Sequence, residues 1–263
     1  MSKLKIAVVG ATGFIGRHVV TELLKYDVDI VATYYSSKSK LISPSKVHWL
    51  NFDIGKSSDN IFSELGKPDV LIHLTWSGLP NYNSPHHYET ELPNQYDFLR
   101  KMILGGLKSV VIAGTCFEYG MQSGPLSADM ETEPNNSYGF AKDVLRKQLE
   151  YLQLKYEFKI TWARLFYMYG EGQSEASLLP QLHKAVLNNN KIFKVRWNPG
   201  ELNKINRFKR LIYSKNFLKY LFKLIHFIFI RKSYKNKYYC KGKIQEKNIS
   251  VFLKLKRNEL RNA

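Results

Sequence analysis

The feature that most constrains the fold is a short apolar run followed by regularly spaced glycines near the start of the chain. Residues 6–9 are apolar, as is typical of a buried parallel strand. Gly10, Gly13 and Gly16 follow, and residues 17–24 then carry apolar side chains at helical spacing. Such glycines permit a tight turn and let backbone N–H groups approach a pyrophosphate at the helix N-terminus. The order strand, glycines, helix therefore predicts a dinucleotide-binding unit.

Strands and helices continue to alternate beyond this unit. Helical patterns at about 93–104 and around Tyr138 precede the last two predicted strands. Alternation of this kind is typical of a parallel sheet with helices on both faces. We therefore predict an α/β fold with a doubly wound, Rossmann-like parallel sheet. The five further predicted strands are 29–35, 47–54, 69–76, 109–115 and 158–165.

Polar and aromatic side chains come at or just after the ends of these predicted strands. Asp53, Thr75–Trp76, Thr115 and Arg164 all occupy such positions. Ligands of doubly wound sheets bind beyond the carboxyl ends of the strands. We expect these side chains to line one edge of the sheet, beside the glycine turn.

A tyrosine and a lysine stand four positions apart in the helix that follows the fifth predicted strand. Residues at this spacing share one face of a helix, so Tyr138 and Lys142 are expected to be neighbours. A solvated surface pair is one interpretation. The other is an acid–base pair, in which the ammonium lowers the phenol pKa from its usual value of about 10. The nearby dinucleotide site favours the second interpretation.

Several motifs, in this order and spacing, resemble the extended short-chain dehydrogenase/reductases of the nucleotide-sugar epimerase/dehydratase branch. The resemblance extends over roughly residues 4–194 and implies an NAD(P)-dependent enzyme acting on a nucleotide sugar. The motifs are GATGFIG (10–16), FD (52–53), HLTW (73–76), GTCFEYG (114–120), YGFAK (138–142) and RLFYMYGEGQ (164–173).

The resemblance implies catalytic roles for Thr115, Tyr138 and Lys142. Tyr138 is then the acid–base, Lys142 holds the nicotinamide ribose and lowers the Tyr138 pKa, and Thr115 hydrogen-bonds the reacting sugar oxygen. Two hydroxyl donors on a developing oxyanion suit hydride transfer to a ketone. Asn94 and Ser177 match positions that contact substrate, and no metal site is predicted.

The resemblance also implies a set of cofactor contacts. No acidic residue follows the second predicted strand before Lys40, where NAD enzymes usually place one on the ribose. We therefore predict NADP(H) over NAD(H), with Arg17 and residues 36–38 receiving the 2′-phosphate. The full predicted set is Gly10, Thr12, Gly13, Phe14, Ile15, Gly16, Arg17, Ser36, Ser37, Lys38, Asp53, Ile54, Leu74, Thr75, Trp76, Tyr138 and Lys142.

Positions after Thr115 separate the reactions of this branch. Sugar 4,6-dehydratases carry Asp-Glu there, whereas this chain has Cys116 and Phe117, so the pattern argues against dehydration. The GDP-fucose synthase type has its cysteine at position 117, one residue away, and Cys116 is predicted to be packed in the core. The motif resembles 4-ketoreductases such as CDP-abequose synthases and dTDP-6-deoxy-talose dehydrogenases. A nucleotide-sugar 4-epimerase is the alternative, and a non-catalytic dinucleotide-binding remnant with a basic tail is another.

The positive charge is confined to the C-terminal part of the chain. The whole sequence has 40 Lys+Arg and 22 Asp+Glu, and residues 191–263 contain 21 of the basic and three of the acidic residues. The first 190 residues therefore hold 40 − 21 = 19 basic and 22 − 3 = 19 acidic residues and are neutral. We divide the chain into a cofactor-binding domain with the catalytic helix, 1–194, and a basic segment, 195–263.

The basic segment matches none of the motifs that the resemblance leads us to expect. We predict an incomplete or aberrant C-terminal substrate lobe, and this chain is then inactive as written. A diverged lobe, an added basic module for anionic lipid or nucleic acid, and a tail read out of frame remain the alternatives. Translation of the encoding DNA in its other two frames distinguishes the last of these from the first two.

Composition narrows the setting. Two cysteines, Cys116 and Cys240, form no disulfide framework, and the first residues lack the apolar core of a signal peptide. No apolar run reaches the length of a membrane span. These features predict a cytoplasmic protein whose partner is a nucleotide-sugar substrate. We expect no specific nucleic acid and no transmembrane segment, and a homodimer is a further prediction.

Overall fold

A computed structural model describes residues 3–36, 45–122, 124–178, 180–181 and 184. The predicted cofactor residues Ser37 and Lys38 and the whole segment 195–263 lie outside the described residues. Two 3₁₀ turns, Ile54–Lys56 and Cys116–Tyr119, and a short π-helical segment, His87–Glu91, link the regular elements. The strands and helices are β1 (Leu4–Val9), α1 (Phe14–Leu23), β2 (Val28–Tyr34), β3 (His48–Asn51), α2 (Ile61–Glu64), β4 (Val70–His73), α3 (Leu92–Leu104), β5 (Ser109–Thr115), α4 (Ser137–Leu152) and β6 (Lys159–Leu165).

The six strands form one parallel sheet in the order β3-β2-β1-β4-β5-β6. The chain moves outward from β1 in one direction and then returns to build the other half from β4. This reversal leaves a crevice at the carboxyl ends of β1 and β4, where ligands of such sheets bind. The predicted α/β, doubly wound parallel sheet is confirmed.

Alternation along the strands creates the two apolar layers. On β1, Ile6 and Val8 pack with buried side chains of α1, whereas Ala7 and Val9 face the layer that includes α3 and α4. Strands buried on both faces have near-continuous apolar sequences, which is why the runs were recognisable. The two layers fix α1 and α4 on opposite faces while their N-terminal ends approach the same edge of the sheet.

A histidine is buried within the α3 layer at the end of β4. His73 is fully buried, and its ring stacks on Phe98 with the centroids 5.9 Å apart. Burial, helped by the charge of Lys142, lowers the pKa of His73 from 6.5 to about 3. The histidine is therefore neutral in the folded protein at pH values where it is protonated in the unfolded chain.

This burial predicts a specific pH dependence of stability. Between pH 6.5 and 3 the unfolded chain binds a proton that folded His73 does not, so stability falls as pH falls. The slope contributed by one such group reaches about 1.4 kcal/mol per pH unit. Urea unfolding at pH 7, 6 and 5 should show a steeper loss in the wild type than in His73→Leu. Parallel losses in the two proteins would contradict the assignment.

Candidate active site

The glycines after β1 bring backbone atoms closer together than side chains allow. Gly10 has φ +83°, and a Cβ there would lie 2.8 Å from the Thr75 nitrogen. A Cβ on Gly16 would lie 2.1 Å from the Gly10 carbonyl oxygen. Gly13 precedes α1, and no side chain caps this helix end. The first-turn N–H groups therefore remain available to an anion, and the turn fits a dinucleotide pyrophosphate.

The loop after β6 packs against the start of α1. A Cβ on Gly172 would come within 2.1 Å of the Arg17 guanidinium, and the His18 ring nitrogen lies 2.9 Å from the Glu171 carbonyl oxygen. Arg17 thus faces this loop, whereas the exposed Ser36 follows β2 on the other side of β1. The predicted contribution of Arg17 to a 2′-phosphate site gains no support from this placement.

Three predicted site residues meet at the loop after β3. The Asp53 carboxylate accepts a hydrogen bond from the Gly55 N–H at 3.0 Å and caps the turn that begins at Ile54. A Cβ on Gly55 would lie 3.2 Å from the Asn94 amide nitrogen. Asn94 therefore lies beside the residues predicted to bind adenine, and its predicted contact with substrate stays a prediction.

The remaining predicted contacts fall at two loops. Thr12, Phe14 and Ile15 lie at the turn into α1, and the Phe14 ring makes an edge contact with His18 at 5.8 Å. Ser177 lies beyond β6, where its carbonyl oxygen accepts a hydrogen bond from the Gln181 N–H at 3.2 Å. Its role toward substrate stays a prediction.

The predicted catalytic hydroxyls come together at the end of β5. Thr115 is the last residue of the strand, and Tyr138 lies in the first turn of α4; both are buried. The Thr115 side chain lies near enough to the Tyr138 hydroxyl to lower the pKa of the phenol. The Tyr138 backbone N–H donates to the Tyr82 carbonyl oxygen at 2.9 Å, which fixes the start of the helix. Two hydroxyls therefore point at one small region beside the glycine turn.

Lys142 is buried one helical turn beyond Tyr138. Its ammonium donates a hydrogen bond to the Ala113 carbonyl oxygen at 2.9 Å and lies 4.1 Å from the centre of the Trp76 ring system. Burial lowers the pKa of Lys142 to about 7, although Glu118 and Glu91 act in the opposite direction. A lysine with this pKa changes charge near neutral pH.

The predicted lowering of the Tyr138 pKa by Lys142 stays a prediction, because other groups set that pKa in the protein alone. Burial raises the pKa of Tyr138 above its usual value, and the charge of Glu118 raises it further. The hydrogen bond with Thr115 acts in the opposite direction. Lys142, with a pKa of about 7, has already lost its charge at the high pH where Tyr138 ionises, so it does not offset this rise in the protein alone. In the protein alone Tyr138 is a protonated phenol, which is the form that can donate a proton.

Sequence reasoning missed a buried carboxylate that organises this region. Glu118 is fully buried and accepts a hydrogen bond from the Thr115 backbone N–H at 2.7 Å. Its other oxygen accepts from the Arg164 Nε at 2.7 Å, and Trp162 also donates to it. The Glu118 side chain therefore ties the end of β5 to β6. Two sequence features could have indicated this ion pair: the acidic residue inside the GTCFEYG motif and the arginine near the end of the last predicted strand.

An aromatic wall stands next to Tyr138. The Phe117 ring lies 6.3 Å from the Tyr138 ring and 4.8 Å from the Tyr82 ring, centroid to centroid. The position that would carry the second acid of a dehydratase is therefore occupied by an apolar ring packed in place. Cys116, predicted to be packed in the core, is instead half-buried at the start of the 3₁₀ turn.

Comparison with known proteins places the chain in a family. Residues 6–203 match the NAD dependent epimerase/dehydratase family, so the chain belongs to it. It is 30% identical over 184 residues to dTDP-6-deoxy-L-talose 4-dehydrogenase (NAD(+)) of Aggregatibacter actinomycetemcomitans, covering 69% of this chain and 68% of the relative. It is 26% identical over 182 residues to dTDP-4-dehydro-6-deoxyglucose reductase of Escherichia coli, covering 64% and 57%. Both relatives are named for enzymes of dTDP-linked 6-deoxy sugars.

Solved structures with the same fold include nucleotide-sugar epimerases. UDP-N-acetylglucosamine 4-epimerase from Methanobrevibacter ruminantium matches with a TM-score of 0.64 and 21% identity, over 72% of this chain and 64% of that one. UDP-glucuronic acid 4-epimerase from Bacillus cereus, in complex with NAD, matches with a TM-score of 0.62 and 24% identity, over 71% and 63%. The chain thus spans less than two thirds of the length of these solved structures.

Two kinds of feature are absent from the described residues. They contain no helix that is both long and apolar enough to cross a membrane. No group of three or more His, Cys, Asp or Glu side chains among them is arranged to hold a metal ion.

The buried Glu118–Arg164 pair predicts a large effect of removing one partner. Glu118→Leu leaves a buried guanidinium without its carboxylate, and we expect the free energy of unfolding to fall by about 3–5 kcal/mol. Glu118→Leu/Arg164→Met should recover part of this loss, because no unpaired charge remains. Glu150→Ala, which breaks the surface pair with Arg146, is the control and should cost less than about 1 kcal/mol. A double variant no more stable than Glu118→Leu would contradict the account.

Proposed function

We propose that the site reduces the C4 ketone of a nucleotide-linked 4-keto-6-deoxyhexose with a nicotinamide dinucleotide, in deoxysugar synthesis for a surface polysaccharide. The observation that carries the proposal is the convergence of two buried hydroxyls and a buried amine beside the glycine turn. Thr115, Tyr138 and Lys142 supply what ketone reduction needs. Phe117 and Tyr82 add an apolar wall where a dehydratase needs an acid.

The chemistry assigns one task to each side chain. The glycine turn after β1 and Lys142 would hold a reduced nicotinamide dinucleotide, which would supply the hydride for the carbonyl carbon. Thr115 and Tyr138 donate hydrogen bonds to the carbonyl oxygen, where negative charge develops. Tyr138 then transfers its proton to that oxygen. Lys142 is assigned to the nicotinamide ribose, and its positive charge stabilises the phenolate that Tyr138 leaves behind.

The relatives support this choice of reaction. Two curated matches are named for a 4-dehydrogenase and a reductase of dTDP-linked 6-deoxy sugars. A 4-epimerase is the second candidate, because UDP-glucose 4-epimerase of Lactobacillus helveticus is 25% identical over 210 residues. An epimerase oxidises and re-reduces the same carbon, so it needs the same three side chains. The Phe117 wall favours the reductase, because it faces the site with an apolar surface suited to a sugar methyl group.

We propose NADP(H) as the preferred cofactor. No carboxylate stands among the described residues that follow β2, Tyr35 and Ser36, to receive a ribose hydroxyl. The name of the relative dTDP-6-deoxy-L-talose 4-dehydrogenase includes NAD(+), and the family is described as NAD dependent. The preference therefore depends on the stretch after β2, part of which lies outside the described residues.

Turnover depends on the segment beyond the sheet. We propose that the nucleotide and much of the sugar are held by a substrate lobe after residue 194, and that this chain lacks a functional one. The family match ends at residue 203, near the proposed boundary. A cytoplasmic location and a homodimer belong to the same proposal.

Replacing the acid–base separates binding from chemistry. We expect Tyr138→Phe to abolish reduction of a dTDP-4-keto-6-deoxyhexose by a chain with a complete lobe, because the proton donor is lost. Cofactor affinity should change less than about threefold, since the ring and helix remain.

Nicotinamide fluorescence titrations of this chain should show tighter binding of NADPH than of NADH.

Each outcome contradicts a different part of the proposal. Substantial turnover by Tyr138→Phe would remove its acid–base role, and tighter NADH binding would overturn the cofactor preference. Cofactor binding without turnover by the complete chain would favour a non-catalytic dinucleotide-binding protein. Gly16→Ala is the binding control, because its methyl group collides with Gly10.

A further inference from the structure

The Lys142 ammonium has an aromatic partner. The Trp76 ring system lies 4.1 Å from the amine and covers it on one side, while the Ala113 carbonyl oxygen accepts a hydrogen bond from it at 2.9 Å. The amine makes no ion pair among the described residues. An indole face attracts a cation more strongly when the cation is shielded from water; Lys142 is buried and Trp76 is partly buried. Trp76 therefore stabilises the charged form of Lys142.

The orientation of Trp76 is itself fixed by a buried histidine. The indole Nε1–H donates a hydrogen bond to His87 Nδ1 at 3.1 Å, and the other ring nitrogen of His87 lies 2.8 Å from the Asn81 carbonyl oxygen. An indole nitrogen only donates and a carbonyl only accepts. In this arrangement His87 carries its proton on Nε2, and its Nδ1 accepts the indole N–H of Trp76.

The same two rings also pack on the catalytic phenol. The ring centroids of Trp76 and His87 lie 5.8 Å and 5.4 Å from that of Tyr138. The segment between them is tied to the start of α4, because Ser137 donates a hydrogen bond to the Asn83 carbonyl oxygen at 3.1 Å. One rigid aromatic unit thus contacts both the amine and the phenol.

We propose that Trp76 and His87 act as a positioning pair, which holds the Lys142 ammonium and the Tyr138 ring in their working arrangement. The catalytic role of this pair rests on the proposed function. The contacts themselves can be tested without measuring turnover. Trp76 then serves the active site through Lys142, beyond the cofactor contact predicted from its motif. His87 and the Asn81 carbonyl extend the site by residues that the motifs did not identify.

The charged groups around the amine define the test. Glu118 on the turn after β5 and Glu91 on the π-helical segment favour the ammonium, and His73 on β4 is neutral above about pH 3. Tyr138, on the same helix, is a protonated phenol. A Trp76 variant keeps all of these groups, so a shift in its Lys142 titration reports the loss of the indole.

The experiment follows the Lys142 side chain in the full-length protein by NMR with ¹³C-labelled lysine, assigned with Lys142→Arg. We expect the titration midpoint in Trp76→Leu to fall by about one pH unit, because the ammonium loses its aromatic partner. Trp76→Phe keeps a ring face and should shift the midpoint by less. Trp49→Phe, a tryptophan change on β3 away from this region, is the matched control and should not shift it.

Histidine signals give a second, independent reading. In the wild type, ¹⁵N spectra at pH 8 should show His87 as the Nε2–H tautomer, with Nδ1 accepting the indole hydrogen bond. In a chain that reduces a nucleotide sugar, Trp76→Leu should also lower kcat about tenfold at pH 7, with a loss that deepens as pH rises. His87→Gln, which keeps an acceptor for the indole, should retain more activity than His87→Leu.

Three results would overturn the positioning pair. They are an unchanged Lys142 midpoint in Trp76→Leu, an equal shift in Trp49→Phe, and a neutral wild-type His87 ring that carries its proton on Nδ1. If Trp76→Leu does not fold, the wild-type His87 spectrum and Trp76→Phe decide the matter. A negative result in these NMR measurements would contradict the positioning pair but not the proposed reduction. Absence of turnover would contradict the proposed reduction but not the positioning pair.

Discussion

The buried carboxylate of Glu118 is the interaction on which the candidate site depends. It accepts the backbone N–H of Thr115 and the guanidinium of Arg164, so one side chain sets the end of β5 relative to β6. A buried carboxylate is tolerated only when it is paired and its oxygens are hydrogen-bonded, as they are here. Its negative charge also favours the ammonium form of Lys142 and the phenol form of Tyr138. The geometry and the protonation of the site therefore have a common source.

The protonation states describe a site poised for reduction. Burial keeps Tyr138 protonated, so it can donate a proton as charge develops on a carbonyl oxygen. The phenolate that results needs a nearby cation, and Lys142 lies one helical turn away with a pKa of about 7. Its amine is charged or neutral according to small changes around it. Trp76 is the aromatic group in contact with that amine, so the indole has a direct influence on its charge.

Much of the fold could be predicted from the sequence, because buried parallel strands have nearly continuous apolar sequences. β5 was predicted with its observed bounds, and the glycine turn was identified from the spacing of Gly10, Gly13 and Gly16. The side-chain network was not predictable in the same way. The bonds of Glu118 and the contact between Trp76 and Lys142 join residues 46 and 66 positions apart, and no periodicity records such pairs. The rise in the Tyr138 pKa was not predicted, because helical spacing gives the proximity of Lys142 but neither the burial of the phenol nor the position of Glu118.

The central claim is net reduction at C4, and the transfer of a labelled hydride tests it most directly. A chain with a complete substrate lobe is given NADPH carrying deuterium at the transferred position and a dTDP-4-keto-6-deoxyhexose. The account predicts that the deuterium appears at C4 of the product, one for each NADPH consumed, as measured by NMR and mass spectrometry. Conversion of a 4-hydroxy nucleotide sugar to its C4 epimer, with no net consumption of NADPH and no deuterium in the product, would contradict it.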